Sequence, residues 1–209
     1  MSKLSHYVKC TSRIEVVSGM HIGGTKDEIK TGEISPIIKH PITGRPYLPG
    51  SSLKGRFRMA LELKYDDVDK NARKGYGPSI DSQHPSLVVK LFGGSDNNEP
   101  TRFIFRDANL SPDSNDYIES EQKKEVVMDR KSMAAVKGVG PRTKERIAAG
   151  AKFDFEVTVR VFEGDDEKKF IDRLKEAINI VEMEYLGGSG TRGYGKVKFA
   201  DFKTEKVTI

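Results

Sequence analysis

Gly188, Gly190 and Gly193 stand in G-x-G-x-x-G spacing within YLGGSGTRGYGKVKF, residues 185–199. Glycines so spaced can cradle a phosphate, because no Cβ keeps the backbone amides from it. A dinucleotide loop of this kind needs a strand before it and a helix after it, so that the pyrophosphate meets the helix N-terminus. Here the order is reversed. Phe170, Ile171, Leu174, Ala177, Ile178, Val181 and Tyr185 recur at helical spacing ahead of the glycines, and the alternating KVKF follows them. A nucleotide-cofactor enzyme is therefore disfavoured. Gly187 is where the helix is expected to stop. The other glycines, with Arg192 among them, leave amides and a cation that could hold a phosphate chain in a nest.

A second stretch, LPGSSLKGRFR, has the chemistry of an anion site. Ser51 or Ser52 is expected to cap a helix, its hydroxyl accepting a first-turn amide. Leu53, Phe57, Ala60 and Leu61 would form the apolar face. Lys54, Arg56 and Arg58 then lie near the positive end of the dipole, an arrangement poor for stability and good for phosphate.

These stretches belong to a wider pattern. Residues 34–61, 130–144 and 185–200 hold thirteen of the 36 basic residues and none of the 31 acidic ones, leaving 23 bases against 31 acids elsewhere. Arg130, Arg142 and Lys144 fall in the middle window. Surface charges mixed at random would intersperse their signs. Segregation of this kind builds a positive field, and its commonest partner is a polyanion such as nucleic acid.

Composition removes other classes. No apolar run approaches membrane-spanning length. The opening MSKLSHYVKC is too polar for a signal peptide. A single cysteine, Cys10, precludes a disulfide framework within the chain and fits a reducing cytoplasm. The elements that must position the glycines and cations read as strand, helix, strand, strand, helix, strand. The first strand covers about 7–17. AKFDFEVTVRVF alternates strictly, as a half-buried antiparallel strand does. The expected class is α+β, a ferredoxin-like (RRM-like) palm with long insertions.

HIGGTKDEI, SPIIKHPITGRPYLPGSSLKGRFR, LFGG, RDANL and YLGGSGTRGYGKVKF together resemble the backbone subunits of type III-A CRISPR effector (Csm) complexes, in the RAMP superfamily. The resemblance runs from about residue 14 to 199. It implies a single domain: a palm at about 6–65, 100–110 and 150–205, a flexible insertion at about 66–99 and a thumb hairpin at about 120–149. It implies a cytoplasmic, non-membrane subunit that stacks head-to-tail with copies of itself and other Csm subunits along CRISPR RNA, and pairs that guide with target RNA. His21, Gly23 and Gly24 match a loop that lies near RNA. Ser51, Ser52, Lys54, Arg56 and Arg58 match the helix that lines the guide, and Gly188, Gly190, Arg192 and Gly193 the loop that approaches it. Arg130, Arg142 and Lys144 fall on the thumb, where Met128, Met133 and Val136 could wedge between bases.

Two departures bear on cofactors. Some relatives carry a Cys/His cluster ahead of LFG; DSQHPSLVVKLFGG offers only His84, so no structural zinc is expected. Cutting relatives use a transient divalent metal (Mg or Mn) and an aspartate just before the Ser/Asn-Pro stretch. Here Ile34 occupies that place. Glu33 beside it and Asp27 earlier are the candidate catalytic carboxylates, so the resemblance leaves open an endoribonuclease or a non-cutting RNA-binding scaffold.

Overall fold

The computed structural model describes residues 3–23, 34–72, 75–78, 86–94, 99–114 and 120–208. Strand β1 (Leu4–Val16) buries alternate side chains, among them Val8, Cys10, Ile14 and Val16, while Lys9, Arg13 and Glu15 face outward. Two-residue β2 (Tyr47–Leu48) leads into α1 (Gly50–Tyr65), and a hairpin, β3 (Val68–Ala72) and β4 (Gly75–Pro78), follows. Then come α2 (Leu87–Phe92), β5 (Phe103–Phe105), β6 (Ala108–Asn109), and a ribbon of β7 (Ser120–Glu125) and β8 (Arg142–Ile147). The chain finishes with β9 (Lys152–Phe162), α3 (Glu167–Met183), a 3-10 turn at Gly190–Arg192 and β10 (Val197–Val207).

The main sheet has the order β10-β1-β9-β5, antiparallel throughout. Counting only its strands, this is fourth, first, third, second, with α1 and α3 as the two crossovers. That is the ferredoxin-like plan. The helices contact each other and bury Leu53, Phe57, Leu61, Leu174, Ala177 and Val181 in the common core. Phe57 is at the centre of an aromatic cluster. Its ring stacks on Phe155 at 5.4 Å and meets Phe105 and Phe199 edge-on at 5.4 and 5.9 Å. Cys10 is fully buried in the same core, and burial pushes its thiol pKa up to about 12.

Three local expectations are corrected. Neither Ser51 nor Ser52 caps α1. The helix begins one residue earlier, at Gly50, after Pro49, and the capping carboxylate comes from afar: Asp107 Oδ1 accepts the Gly50 amide at 2.6 Å. Gly50 is required there, because a Cβ would stand 2.9 Å from the Phe105 carbonyl oxygen. Gly187 does not stop α3, which ends at Met183; its positive φ of 86° serves a later turn. Part of the stretch expected to be flexible, 66–99, is core, since Leu91 and Phe92 of α2 are buried and Phe92 packs on Phe103 and Phe105.

Asp165 ties these parts together in the β9–α3 turn. It pairs with Arg102 at 2.8 Å and Lys90 at 2.7 Å and accepts the Phe162 amide at 3.1 Å. Burial alone would raise its pKa; the bonds from Arg102, Lys90 and Phe162 outweigh that and hold it below the usual range. Its contribution is therefore present above the unfolded carboxylate range and lost as pH falls through the folded value. Asp165→Asn is expected to cost about 2 kcal/mol at neutral pH and to flatten the acid limb of stability. Urea midpoints measured from pH 3 to 7 check this, and parallel curves for the two proteins would refute it.

Candidate nucleic-acid interface

Strand β8 is the junction of the candidate site. Its last residue, Ile147, bridges Met20, and Lys144 bridges Ser35 in parallel. The Ser35 amide donates to Thr143 O at 3.0 Å, and Ser35 O accepts the Glu145 amide at 2.9 Å. Next to these, His21 bridges Gly188 and Gly23 bridges Ile37. The ribbon base, the His21 segment, the Ile34–Lys39 segment and the glycine loop thus meet in one place.

Glu145 holds that meeting point. Its side chain is buried, accepting Lys39 Nζ at 2.7 Å and the Ile37 amide at 3.0 Å, while its carbonyl lies 2.7 Å from His21 Nδ1. A carbonyl only accepts, so Nδ1 carries the imidazole proton. Burial alone would raise the Glu145 pKa, but hydrogen bonds from Lys39, Ser120 and Ile37 outweigh it and keep the carboxyl low. His21 is itself 8 % exposed and engaged with backbone, as a structural histidine is. Both described flanks of residues 24–33 are fixed by this network. Gly24, Asp27, Glu28 and Glu33 lie outside the described residues.

The glycine loop is shaped by close packing more than by a nest. A Cβ at Gly187 would lie 2.6 Å from His21 O, at Gly190 1.9 Å from the Tyr185 ring, and at Gly195 2.0 Å from Leu186 O. The amides of Gly188, Arg192, Gly193 and Gly195 donate to His21, Ser189, Gly190 and Gly19 carbonyls. These four amides are taken by carbonyls and are not free to ring a phosphate. The cations gather nearby instead. Arg192 pairs with Glu125 and reaches Ser189 Oγ at 2.7 Å, and Lys144 donates to the same hydroxyl at 2.8 Å.

On α1 the three cations differ in availability. Arg56 is 9 % exposed; Nε donates to Tyr185 O at 2.8 Å, Nη2 pairs with Glu184, and the guanidinium lies 4.6 Å from the Tyr185 ring centre. Arg58 donates to Glu62 at 2.6 Å and to Gly93 O at 2.7 Å. Lys54 has no carboxylate partner among the described residues; burial, then Arg58, lowers its pKa. Ser51 is exposed and Ser52 half-buried at the same end. On the ribbon, Arg130 and Arg142 are exposed, and so are Met128 and Met133 near the tip, while Val136 is half-buried.

Sequence reasoning gave no role to Glu145, Glu125, Tyr194 or Asp107. Glu145 abuts the acid-free window 130–144 and Glu125 lies a few residues ahead of it, but their ion-pair partners, Lys39 and Arg192, come from the other two windows, so only the fold brings them together. Among the described residues no cluster of three or more His, Cys, Asp or Glu could hold a metal. No described helix is long and apolar enough to cross a membrane.

Comparison with known proteins agrees with this architecture. The profile of the RAMP superfamily matches residues 13–198. The CRISPR system Cms endoribonuclease Csm3 of Methanocaldococcus jannaschii is 43% identical over 196 residues, covering 91% of this chain and 77% of that protein. The Csm3 of Streptococcus thermophilus is 36% identical over 206 residues, covering 96% and 90%. Among solved structures, the Csm3–Csm4 subcomplex of the type III-A CRISPR-Cas interference complex superimposes with a TM-score of 0.64 at 31% identity, covering 99% of this chain and 82% of that one. A ferredoxin-like sheet with a two-stranded ribbon, matched over most of its length by these proteins, places the chain in the RAMP superfamily, within the Csm3 family.

Proposed function

We propose that this chain is the RNA-binding backbone subunit of a type III-A CRISPR interference complex. It works in the cytoplasm, stacks with copies of itself and with other Csm subunits, and holds guide RNA so that target RNA can pair with it. The observation that carries this reading is the junction at β8, where ribbon, glycine loop and the Ser35 segment converge and where Lys144 meets the Ser189 hydroxyl and has no ion pair with a carboxylate among the described residues. Lys54, Arg130 and Arg142 would contact phosphates directly. His21, Gly188, Gly190 and Gly193 would shape the surface, and Arg56 would position the glycine loop. Arg58 braces α1 against Gly93.

Binding of this kind is dominated by backbone contacts, so it depends weakly on sequence and strongly on salt. Lys54→Ala is expected to weaken RNA binding about threefold and to reduce the log–log salt slope by roughly 0.7. Fluorescence anisotropy from 50 to 300 mM salt reads both quantities. An unchanged slope would remove Lys54 from the groove.

For cutting, the first reading gives Glu33 the role of the family's aspartate, with a divalent metal supplying charge neutralisation when bound. A second reading is favoured by Ile34, which is apolar, 42% exposed and stands where the aspartate is expected. In that reading the subunit binds target RNA without cutting it.

A further inference from the structure

The seam between the ribbon and the glycine loop contains more positive charge than its packing needs. In the β7–β8 register, Lys123 stands directly opposite Lys144, and Arg142 opposite Glu125. Like charges facing across a ladder are destabilising. Arg146, the next residue on the same face, pairs with Glu121 at 2.8 Å. Lys123 and Arg146 lie 4.5 and 4.6 Å from the centre of the Tyr194 ring, which is itself fully buried. Arg192 approaches from the glycine loop.

One carboxylate sits in the middle of this cluster. Glu125 Oε1 accepts the Tyr194 hydroxyl at 2.7 Å, and Oε2 pairs with Arg192 Nη1. Two donors from the closing glycine loop thus meet the two oxygens of one anionic group on the ribbon. The Tyr194 bond, then Arg192, Lys144 and Lys123, outweigh partial burial and hold the Glu125 pKa below the usual range. A phosphodiester presents the same features: one negative charge and two non-bridging oxygens, both acceptors.

We propose that Arg192, Tyr194 and Lys144 form a phosphodiester site that Glu125 fills in the free chain, and that an RNA phosphate displaces it. This rests on the RNA-binding reading above and adds a named site and its internal competitor. In the exchange Tyr194 OH and Arg192 Nη1 pass from carboxylate to phosphate oxygens, and Glu125 turns to solvent at the ribbon edge. The seam stays closed in the absence of RNA because Glu125 supplies the missing negative charge. A carboxylate inside an RNA groove normally opposes binding; here it keeps the groove assembled until a phosphate arrives.

The test is Glu125→Gln in the full chain, with a fluorescein-labelled oligouridylate as probe. Glutamine keeps the size and removes the competing charge. Affinity is expected to rise roughly three- to tenfold, with the salt slope steeper by about 0.7. In an Arg192→Ala background the same change is expected to give no gain. Unchanged or weaker binding by a folded Glu125→Gln chain would overturn the site, as would a gain that persists without Arg192, which marks a general charge effect. If Glu125→Gln does not fold, Tyr194→Phe carries the test, since it keeps the ring and removes only the hydroxyl. It is expected to weaken binding about threefold, and unchanged binding overturns the proposal. Failure of the native chain to bind RNA at all would defeat the proposed function and this site together. Native binding with no gain in Glu125→Gln defeats this site alone.

Discussion

Arg56→Ala is expected to lower both stability and RNA affinity, although its guanidinium faces the protein. The side chain bonds the Tyr185 carbonyl, pairs with Glu184 and lies over the Tyr185 ring. Those contacts fasten the end of α3 and the entry to the glycine loop against α1. Breaking a buried pair costs about 3–5 kcal/mol; Glu184 is 43% exposed and regains water, so the expected cost here is about 2–3 kcal/mol. For a chain of this size that is a fall in Tm of about 5–10 °C. Tyr185 also packs under Gly190, so loosening it displaces the loop, and RNA affinity should drop about tenfold. The salt slope separates positioning from direct contact. A phosphate ligand would lose about 0.7 of slope with little change in Tm. A positioning residue loses Tm and affinity while the slope holds. Arg56→Lys should rescue little, because an ammonium cannot serve a carbonyl, a carboxylate and a ring face together.

The other large effect concerns cutting. Ile34→Asp is expected to raise metal-dependent cleavage of guide-complementary RNA by the assembled complex roughly 100-fold, the lower end of what one well-placed acid–base group supplies. The position suits it. Ile34 is partly exposed and directly precedes Ser35, whose amide and carbonyl are both pinned to β8. A carboxylate at 34 would thus be one residue from a fixed point. In the same assay Glu33→Ala divides the two readings. Loss of native cutting with guide binding intact assigns the role to Glu33. Little native cutting, unchanged in Glu33→Ala and gained in Ile34→Asp, assigns the native chain to scaffolding. Strong native cleavage that survives removal of Glu33, Asp27 and Glu28 would defeat both.

Much of the fold was legible because it depends on local period. The alternation at 153–161 marks β9, and the three-and-four spacing at 170–181 marks α3. The inward turn of Arg56 was also written there: residues 53, 56, 57 and 60 share one helix face, so an arginine at 56 faces the core with Leu53, Phe57 and Ala60. The acid-free windows drew attention to charge and away from that spacing. Lys54, off that face, has no carboxylate partner among the described residues. Other parts had no local signature. Glu145 meets Lys39, and Asp107 meets Gly50, only because a folded sheet brings distant segments together. The glycine loop was noticed for its motif, yet its glycines answer to neighbours such as His21 and Tyr185 that no spacing rule identifies.

The strand order also governs how the molecule is made. Strand β1 pairs on one edge with β9 and on the other with β10, so both its edges await residues made long after it. At ordinary rates of translation, residues 17–151 take on the order of ten seconds to emerge, and throughout that time β1 is an apolar strand without neighbours. Strands in that condition invite pairing with other nascent chains. Lys9 and Arg13, on its outward face, would set like charges against those of an intruding copy paired along the same strand. The same residues that keep one side of the finished sheet wet would therefore protect the ribosome-bound chain from its neighbours on a shared message.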